Sequence, residues 1–555
     1  MNRNETNRFA VNPTNLDISR SIFNRDKKVL TSGNVGDVIP FYLSEVLPGD
    51  TFNVTTSKVV RLQPMVTPVM DNLYADFYYF FCPTRLVWSH WKEFMGENTE
   101  SAWVPQVSYT VPQLVVPSGG FNVGTIADYL GVPPKAGAGK EISVLPFRVY
   151  ATVCNDWFRD ENLMNPVHVH VDDTTRTGVN TGDQVTDIEL GGKPFVACKY
   201  FDYFTACLPG AQKASGPTVE FALNGLLPVN SYANKTNIID GSVHNDLDSL
   251  KFKQDYTSSA ISSGAGDIGL NAYGGTIVNT SAIGGTAKYI TPSNLFADLN
   301  NTSIFDINSL RQAFAIQRFY EKQARGGSRY IEVIKSFFNV DSPDARLQRS
   351  EYLGGNRVPL NVSDVEQTSA TQTGLTPQGN LTGISHTGDV NYDFTKSFTE
   401  HGYVLGVMVL RYHHTYQQGL ERHWSRKTLF DYYNPTFANL GEMPVYENEI
   451  YFDSVSNNVF GYQEAWADYR YSPSSVHGEM RSVASAPLDM WHFADNYNSQ
   501  PYLGDIWIRE DKTNLDRCLA VTSAVSNQFF ADLYINNECA RPMPMYSIPG
   551  LIDHH

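Results

Sequence analysis

Residues 308–360 read NSLRQAFAIQRFYEKQARGGSRYIEVIKSFFNVDSPDARLQRSEYLGGNRVPL, and this stretch decides how the chain is organised. Ser309 and Gln312 have the spacing of a capping box, in which each side chain satisfies an amide left free at a helix start. Leu310, Ala313, Phe314, Gln317, Tyr320 and Ala324 fall on one face of a helix that Gly326 and Gly327 close. A second amphipathic pattern follows at Tyr330, Ile331, Ile334, Phe337 and Phe338 and ends before Pro343. The stretch therefore predicts two helices with defined ends, and by itself names no function.

Outward from it the sequence turns strand-like. Residues 52–62 (FNVTTSKVVRL) and 74–83 (YADFYYFFCP) are rich in β-branched and aromatic side chains and are bounded by Pro and Gly. Residues 403–416 (YVLGVMVLRYHHTY) have a nearly continuous apolar first half, the pattern of a strand covered on both faces. Helical patterns recur at 87–95 and at 150–158, where Tyr150, Val153, Cys154, Trp157 and Phe158 share one face. Periodicity thus predicts a mainly β chain with several helices.

A chain of 555 residues exceeds what one hydrophobic core usually serves, and its 31 Tyr and 31 Phe supply ample area for burial. The six cysteines (Cys82, Cys154, Cys198, Cys207, Cys518, Cys539) contain no CxxC pair. They read as buried small hydrophobes in a reduced protein, not as a disulfide framework. No apolar run is long enough to cross a bilayer, so no membrane insertion is expected. The opening MNRNETNRFAVNP lacks the apolar segment of a signal peptide. The net charge is −16, but residues 1–30 hold Arg3, Arg8, Arg20, Arg25, Lys27 and Lys28 against Glu5, Asp17 and Asp26, a local +3. Those 30 residues read as a basic N-terminal arm.

The sharpest shift in composition covers residues 209–300. Gly, Ser, Thr and Asn make up 37 of these 92 residues, and Arg, Trp, Cys and Met are absent. A segment poor in core formers and rich in turn formers reads as an exposed elaboration. Its scattered apolar residues, Ile238, Phe252 and Ile277 among them, predict some β structure within it.

Motifs that could carry chemistry are weak. His168, His170 and Asp172 in HVHVDD would share one face of a strand and could in principle hold a divalent ion, although a polar surface strand gives the same spacing. His413 and His414 would point to opposite faces, which suits a structural role. No GxSxG elbow is present. GAGKE at 137–141 fails as a phosphate loop because Pro134 and Glu141 stand where Gly and Ser or Thr are needed. GGNR at 354–357 lacks the strand-then-helix context. Glu442, Glu447, Glu449 and Glu464, with Trp466 nearby, could line a glycosidase cleft, but hydrated subunit interfaces are equally rich in acids and tyrosines.

The block at 308–360, with ARGGSRYIE and SPDARLQRSEYLGG at its centre, resembles a signature of the major capsid proteins of small single-stranded DNA phages, the Microviridae. The gokushovirus branch is the most similar. NRFAVNP, RSIFNRDKK, VLPGDTF (46–52), LPGAQKA (208–214), EIYFDSVSNNVFGYQEAWADYRY (449–471) and MPMYSIPGLIDHH (543–555) carry the same resemblance in family order. Asp553, His554 and His555 match the family's terminal motif and are not a metal site.

The resemblance implies an eight-stranded antiparallel jelly roll, a β-sandwich with large loop insertions. About sixty copies would close the smallest, T=1, icosahedral shell by self-association, without cofactor or catalysis. Implied partners are circular single-stranded DNA, an internal scaffolding protein, a DNA pilot protein and a bacterial cell-surface receptor. The implied location is the virion, after synthesis in the host cytoplasm. Residues 31–208 and 301–555 would make the shell domain, flanking an insertion at 209–300 that forms a three-fold protrusion. Arg3, Arg8, Arg20, Arg25, Lys27 and Lys28 would face DNA. Arg318, Arg325, Arg329, Arg346, Arg349 and Arg357 would contact neighbouring subunits, DNA, or acids of their own chain. Ile238, Phe252, Tyr273, Ile277 and Tyr289 would lie on the host-contact insertion. The competing reading is a carbohydrate-binding or carbohydrate-cleaving jelly-roll protein.

Overall fold

The computed structural model describes residues 19–97, 109–213, 307–326, 330–339 and 348–546 apart from 372, 375–376 and 454–457, together with the backbone of eight short strands between 229 and 297. The chain divides into two units, Met1–Lys213 with Glu321–His555, and Ala214–Tyr320.

In the first unit, β1 (Ser21–Asn24), β2 (Lys27–Gly33), β3 (Ile39–Val46), β4 (Thr51–Leu62), β5 (Leu73–Pro83), β6 (Glu351–Pro359), β7 (Thr387–Ser397), β8 (Gly402–Tyr412) and β9 (Phe529–Arg541) build two antiparallel sheets. One runs β1 and β2, then β9, β4, β7; the other runs β6, β5, β8, β3. β1 and β2 are one interrupted strand, because Ser21 faces Arg541 and Lys27 faces Ile535 without a change of register. Between them the Arg25 amide still donates to the Asn537 carbonyl at 2.9 Å, and the Asp26 carboxylate accepts from the Asn537 amide at 3.3 Å.

The period-2 alternation of strands sorts the side chains. Phe52, Val54, Val60 and Leu62 of β4 and Phe529, Leu533 and Ile535 of β9 meet Phe77, Tyr79 and Phe81 of β5 and Val404, Met408 and Leu410 of β8 in one apolar layer. Full burial of each such side chain contributes about 1.5–3 kcal/mol. The opposite face of the second sheet presents Phe80, Cys82, Leu405, Val407 and Val409 to a second core. There they pack with Phe147, Val149, Tyr150 and Val153 of α1 (Leu145–Val153). β5 and β8 are therefore covered on both sides, which is why residues 403–412 read as continuously apolar. The outer face of the first sheet is open, with Leu30, Val390, Tyr392, Phe530 and Tyr534 exposed.

Polar side chains also sit inside the sandwich, Lys58 among them. Lys58 points inward from β4, its side chain almost wholly buried, with Asp393 at 3.7 Å and Asp389 at 3.8 Å. Desolvation lowers its pKa, and those two carboxylates oppose the shift.

Most of the chain lies in two excursions from this frame, residues 84–350 between β5 and β6 and residues 413–528 between β8 and β9. The predicted helix at 87–95 is instead two short turns, Thr84–Val87 and Trp91–Phe94. Trp88 between them is extended (φ −150°, ψ 119°), its ring buried and its indole donating to Asp173 at 2.5 Å. The helix predicted from Tyr150 starts at Leu145, where Pro146 suits a first turn, and continues as a wider π-turn at Cys154–Phe158. The strand predicted to Tyr416 leaves the sheet after Tyr412.

The two helices of the 308–360 block are α2 (Ile307–Gly326) and α3 (Tyr330–Phe338). Ser309 falls inside the first turn of α2 and not at its cap. Phe314 is exposed while Ala324 is buried. At about 100° per residue Phe314 stands roughly 80° round the helix from Ala324, at the edge of the predicted stripe. No described helix is long and apolar enough to cross a membrane.

GGNR lies in β6, at a bulge opposite Tyr79. Gly355 has φ +150°, and a Cβ there would stand 2.0 Å from the Phe77 carbonyl oxygen. These glycines let backbones approach and do not cradle phosphate.

The described backbone of the second unit forms four antiparallel pairs: Val229–Ser231 with Leu295–Ala297, Lys235–Thr236 with Val243–His244, Phe252–Lys253 with Thr291–Pro292, and Leu270–Tyr273 with Thr276–Asn279. Three of the four are nested, each pair enclosing the next in sequence.

Candidate functional site

The cations singled out in the sequence have identifiable surroundings. Arg3, Arg8, Arg329 and Arg346 lie outside the described residues. Arg20 donates to the Gly49 carbonyl at 2.6 Å and the Thr51 hydroxyl at 2.7 Å, and Arg25 donates to the Ser44 hydroxyl at 2.9 Å. Lys28 pairs with Asp532 at 3.1 Å on the open sheet face, and Lys27 is exposed. Arg318 is exposed on α2. Arg325 pairs with the buried Glu442, and the Arg349 guanidinium lies 4.1 Å over the Trp157 ring. Of the insertion residues, Phe252, Tyr273 and Ile277 stand on the short strands, while Ile238 and Tyr289 lie outside the described residues.

Arg357 belongs to a cluster on the helix-covered side of the second sheet. It donates to the buried Asp76 at 2.8 Å, Arg411 donates to the other carboxylate oxygen at 2.7 Å, and the Tyr200 hydroxyl adds a bond of 2.6 Å. The guanidiniums of Arg357 and Arg411 lie 4.2 and 4.4 Å from the Tyr200 ring centre. Burial works against ionisation of Asp76, but Arg411 and Arg357 outweigh it and hold the carboxyl below its usual range.

A second buried cluster forms where the chain leaves β8. His414 is fully enclosed, its Nδ1 2.8 Å from Asp495 and its Nε2 2.9 Å from Glu510. Lys199 stands 3.6 Å from Asp495, and Tyr497 and Asn514 donate to the same carboxylate at 2.7 and 2.6 Å. Burial and Lys199 disfavour the imidazolium, yet Asp495 and Glu510 overcome both and raise the pKa to about 9. Both ring nitrogens are occupied, so His414 offers neither a free base nor a ligand. The neighbouring His413 ring packs against Tyr74 and Tyr200.

The remaining motifs are similarly engaged. Residues 167–171 are in no strand ladder; His170 pairs with Glu189, and Asp172 with Arg176 at 2.8 Å and Arg148 at 3.5 Å. Among the described residues no cluster of three or more His, Cys, Asp or Glu is arranged for a metal ion. GAGKE leads into the strand Glu141–Ser143 and not into a helix. Glu449 holds Tyr203 at 2.8 Å and Arg422 at 3.5 Å, and Glu464 holds Arg470 at 2.6 Å. Glu442 and Glu464 border an open groove of about 970 Å³ together with Trp157, Asp160, Phe201 and Asp202.

Beside this region, residues 421–440 form an arm of three single turns, Arg422–Ser425, Leu429–Asp431 and Pro435–Phe437. Asp431 accepts the Thr428 amide at 2.6 Å in a capping box, and Asn434 caps the third turn. Arg426 anchors the arm by pairing with Asp468 and lying 4.2 Å over the Tyr469 ring. The Trp466 indole donates to the Phe437 carbonyl at 3.0 Å, and Tyr433 packs edge-on to Trp466. Sequence reasoning missed this arm.

Comparison with known proteins identifies the family. A family model described as "Capsid protein (F protein)" matches residues 12–551. Capsid protein VP1 of Spiroplasma virus 4 is 42% identical, with 96% of each chain covered. Capsid protein VP1 of Chlamydia phage 1 is 38% identical over 98% of each chain. That of Bdellovibrio phage phiMH2K is 37% identical over 99% of this chain and 98% of its own. Family match and identity both run nearly end to end, and the chain therefore belongs to the capsid protein (F protein) family of the Microviridae, as a structural subunit of a phage shell.

Proposed function

We propose that the two sheets form an eight-stranded jelly roll and that about sixty such subunits close a T=1 shell. The observation that carries this is strand order. With β1 and β2 counted as one, the chain alternates between the sheets at every step except β5 to β6, and each sheet interleaves early and late strands. That is the wiring of two Greek keys, and long excursions from such a frame suit a subunit that must touch several neighbours. In this reading the shell encloses circular single-stranded DNA, and assembly proceeds on an internal scaffolding protein with a DNA pilot protein incorporated. The basic N-terminal segment, residues 1–30, whose last part forms β1 and the start of β2, faces inward. The insertion at 209–300 forms a three-fold protrusion that meets the host receptor.

Negative-stain microscopy of the purified chain tests the shell, and closed particles of uniform diameter are the expected result. A soluble monomer stabilised by sugars would overturn it in favour of a lectin-like or glycosidase role. For the insertion, deletion of residues 215–295 is expected to leave particles that assemble but no longer attach to cells. Loss of assembly in that deletion would refute the attachment role.

A further inference from the structure

We infer that the arm at residues 421–440 is an assembly surface, covered in the particle by a second copy of this chain. The inference rests on the capsid reading and adds to it the segment that makes the contact. Trp424, Leu429, Phe430, Tyr432, Tyr433 and Leu440 are 71, 80, 70, 52, 46 and 49% exposed. At the usual 150–250 Å² per large side chain they offer roughly 700 Å² of largely apolar surface. A monomer's largest apolar patch is typically about 300–600 Å², whereas one side of a stable interface needs about 800 Å². A surface of this size in water calls for a cover.

The chemistry points to protein as the cover. Tyr, Trp and Phe beside Arg are the residues that anchor interfaces. The arm is already shaped for binding, because two of its three turns are capped and Arg426 and Trp466 fix it to the body, so little ordering is left to lose on contact. Nucleic acid fits poorly. Arg422 and Arg426 are directed to Glu449 and Asp468, and Glu421 and Asp431 stand against the exposed Lys427, so the arm has no excess of cations for phosphate. In a shell of identical subunits every copy presents the same arm, so one contact is repeated throughout the assembly.

All six cysteines are buried, so Leu429→Cys introduces the one exposed thiol among the cysteine positions. That thiol is expected to react with a maleimide readily in unassembled subunits and at least tenfold more slowly in particles. Equal rates would overturn the inference. Protection in DNA-filled but not in empty particles would also overturn it, assigning the arm to DNA. The double substitution Leu429→Asp with Phe430→Asp is expected to keep the subunit's melting temperature and reduce particle yield more than tenfold. Wild-type yield from that variant would again sink the idea. The unaltered chain, run in parallel, reports on the capsid reading itself: no particles from it would refute that reading and not this contact.

Discussion

Replacing His414 by Gln removes a cation from a cluster that balances only if the imidazole is protonated. His414 and Lys199 supply two positive charges, Asp495 and Glu510 two negative ones, and all four side chains are at most 4% exposed. The folded protein raises the imidazole pKa from 6.5 to about 9, so it holds the proton more tightly than the unfolded chain does. That contribution is complete below about pH 6.5 and disappears as pH rises through 9. At 1.36 kcal/mol for each tenfold change in proton affinity the difference amounts to about 3 kcal/mol. Urea unfolding of the subunit at intervals from pH 6 to pH 10 measures it. The wild type is expected to lose about 3 kcal/mol more than His414→Gln across that range, since the amide cannot titrate. Tyrosines and lysines titrate in both proteins and cancel in the difference. Parallel profiles for the two proteins would show that folding does not raise the imidazole pKa, and the charge argument would fall.

Three further outcomes follow from the buried groups. Lys58→Met leaves Asp393, whose side chain is fully buried, without its cation. A loss of about 3–5 kcal/mol in urea unfolding is expected, with much of it recovered on adding Asp393→Asn. Absence of any recovery would mean that the lysine acts by packing and not by charge. Arg411→Ala is expected to destabilise more than Arg357→Ala, because the Arg411 side chain is 10% exposed and that of Arg357 is 44% exposed, although both bind Asp76. The reverse ranking would refute that use of burial. Gly355→Ala places a Cβ 2.0 Å from the Phe77 carbonyl oxygen at φ +150°, so a loss of at least about 2 kcal/mol is expected. An unchanged unfolding midpoint would count against the bulge geometry.

What could be read from the sequence was what is encoded locally. Alternation and β-branching marked 52–62 and 74–83, and the strands run Thr51–Leu62 and Leu73–Pro83. Wherever a distant partner decides, local signals fall silent. Nothing near Ser21 reveals that it pairs with Arg541, and nothing near Trp88 shows that its indole meets Asp173 and breaks a helix in two. The same holds for the charges. Arg357 stood out by composition, but its carboxylate is 281 residues earlier, and the carboxylates of His414 are 81 and 96 residues later.

The arm at 421–440 was overlooked for the opposite reason. Leu429, Tyr433, Phe437 and Leu440 stand at helical spacing, but Pro435 interrupts the run and the chain makes three single turns there, so the spacing describes no helix face turned to a core. Apolar density interrupted by Pro435 and closed by Gly441 is the signal that could have exposed it. Core-forming elements declare themselves through periodicity because one face must be hidden within the chain. A surface hidden only by another copy carries no such constraint. In an assembling subunit the segments whose large apolar residues stay exposed, whatever their spacing, are therefore the ones to examine first for contacts between copies.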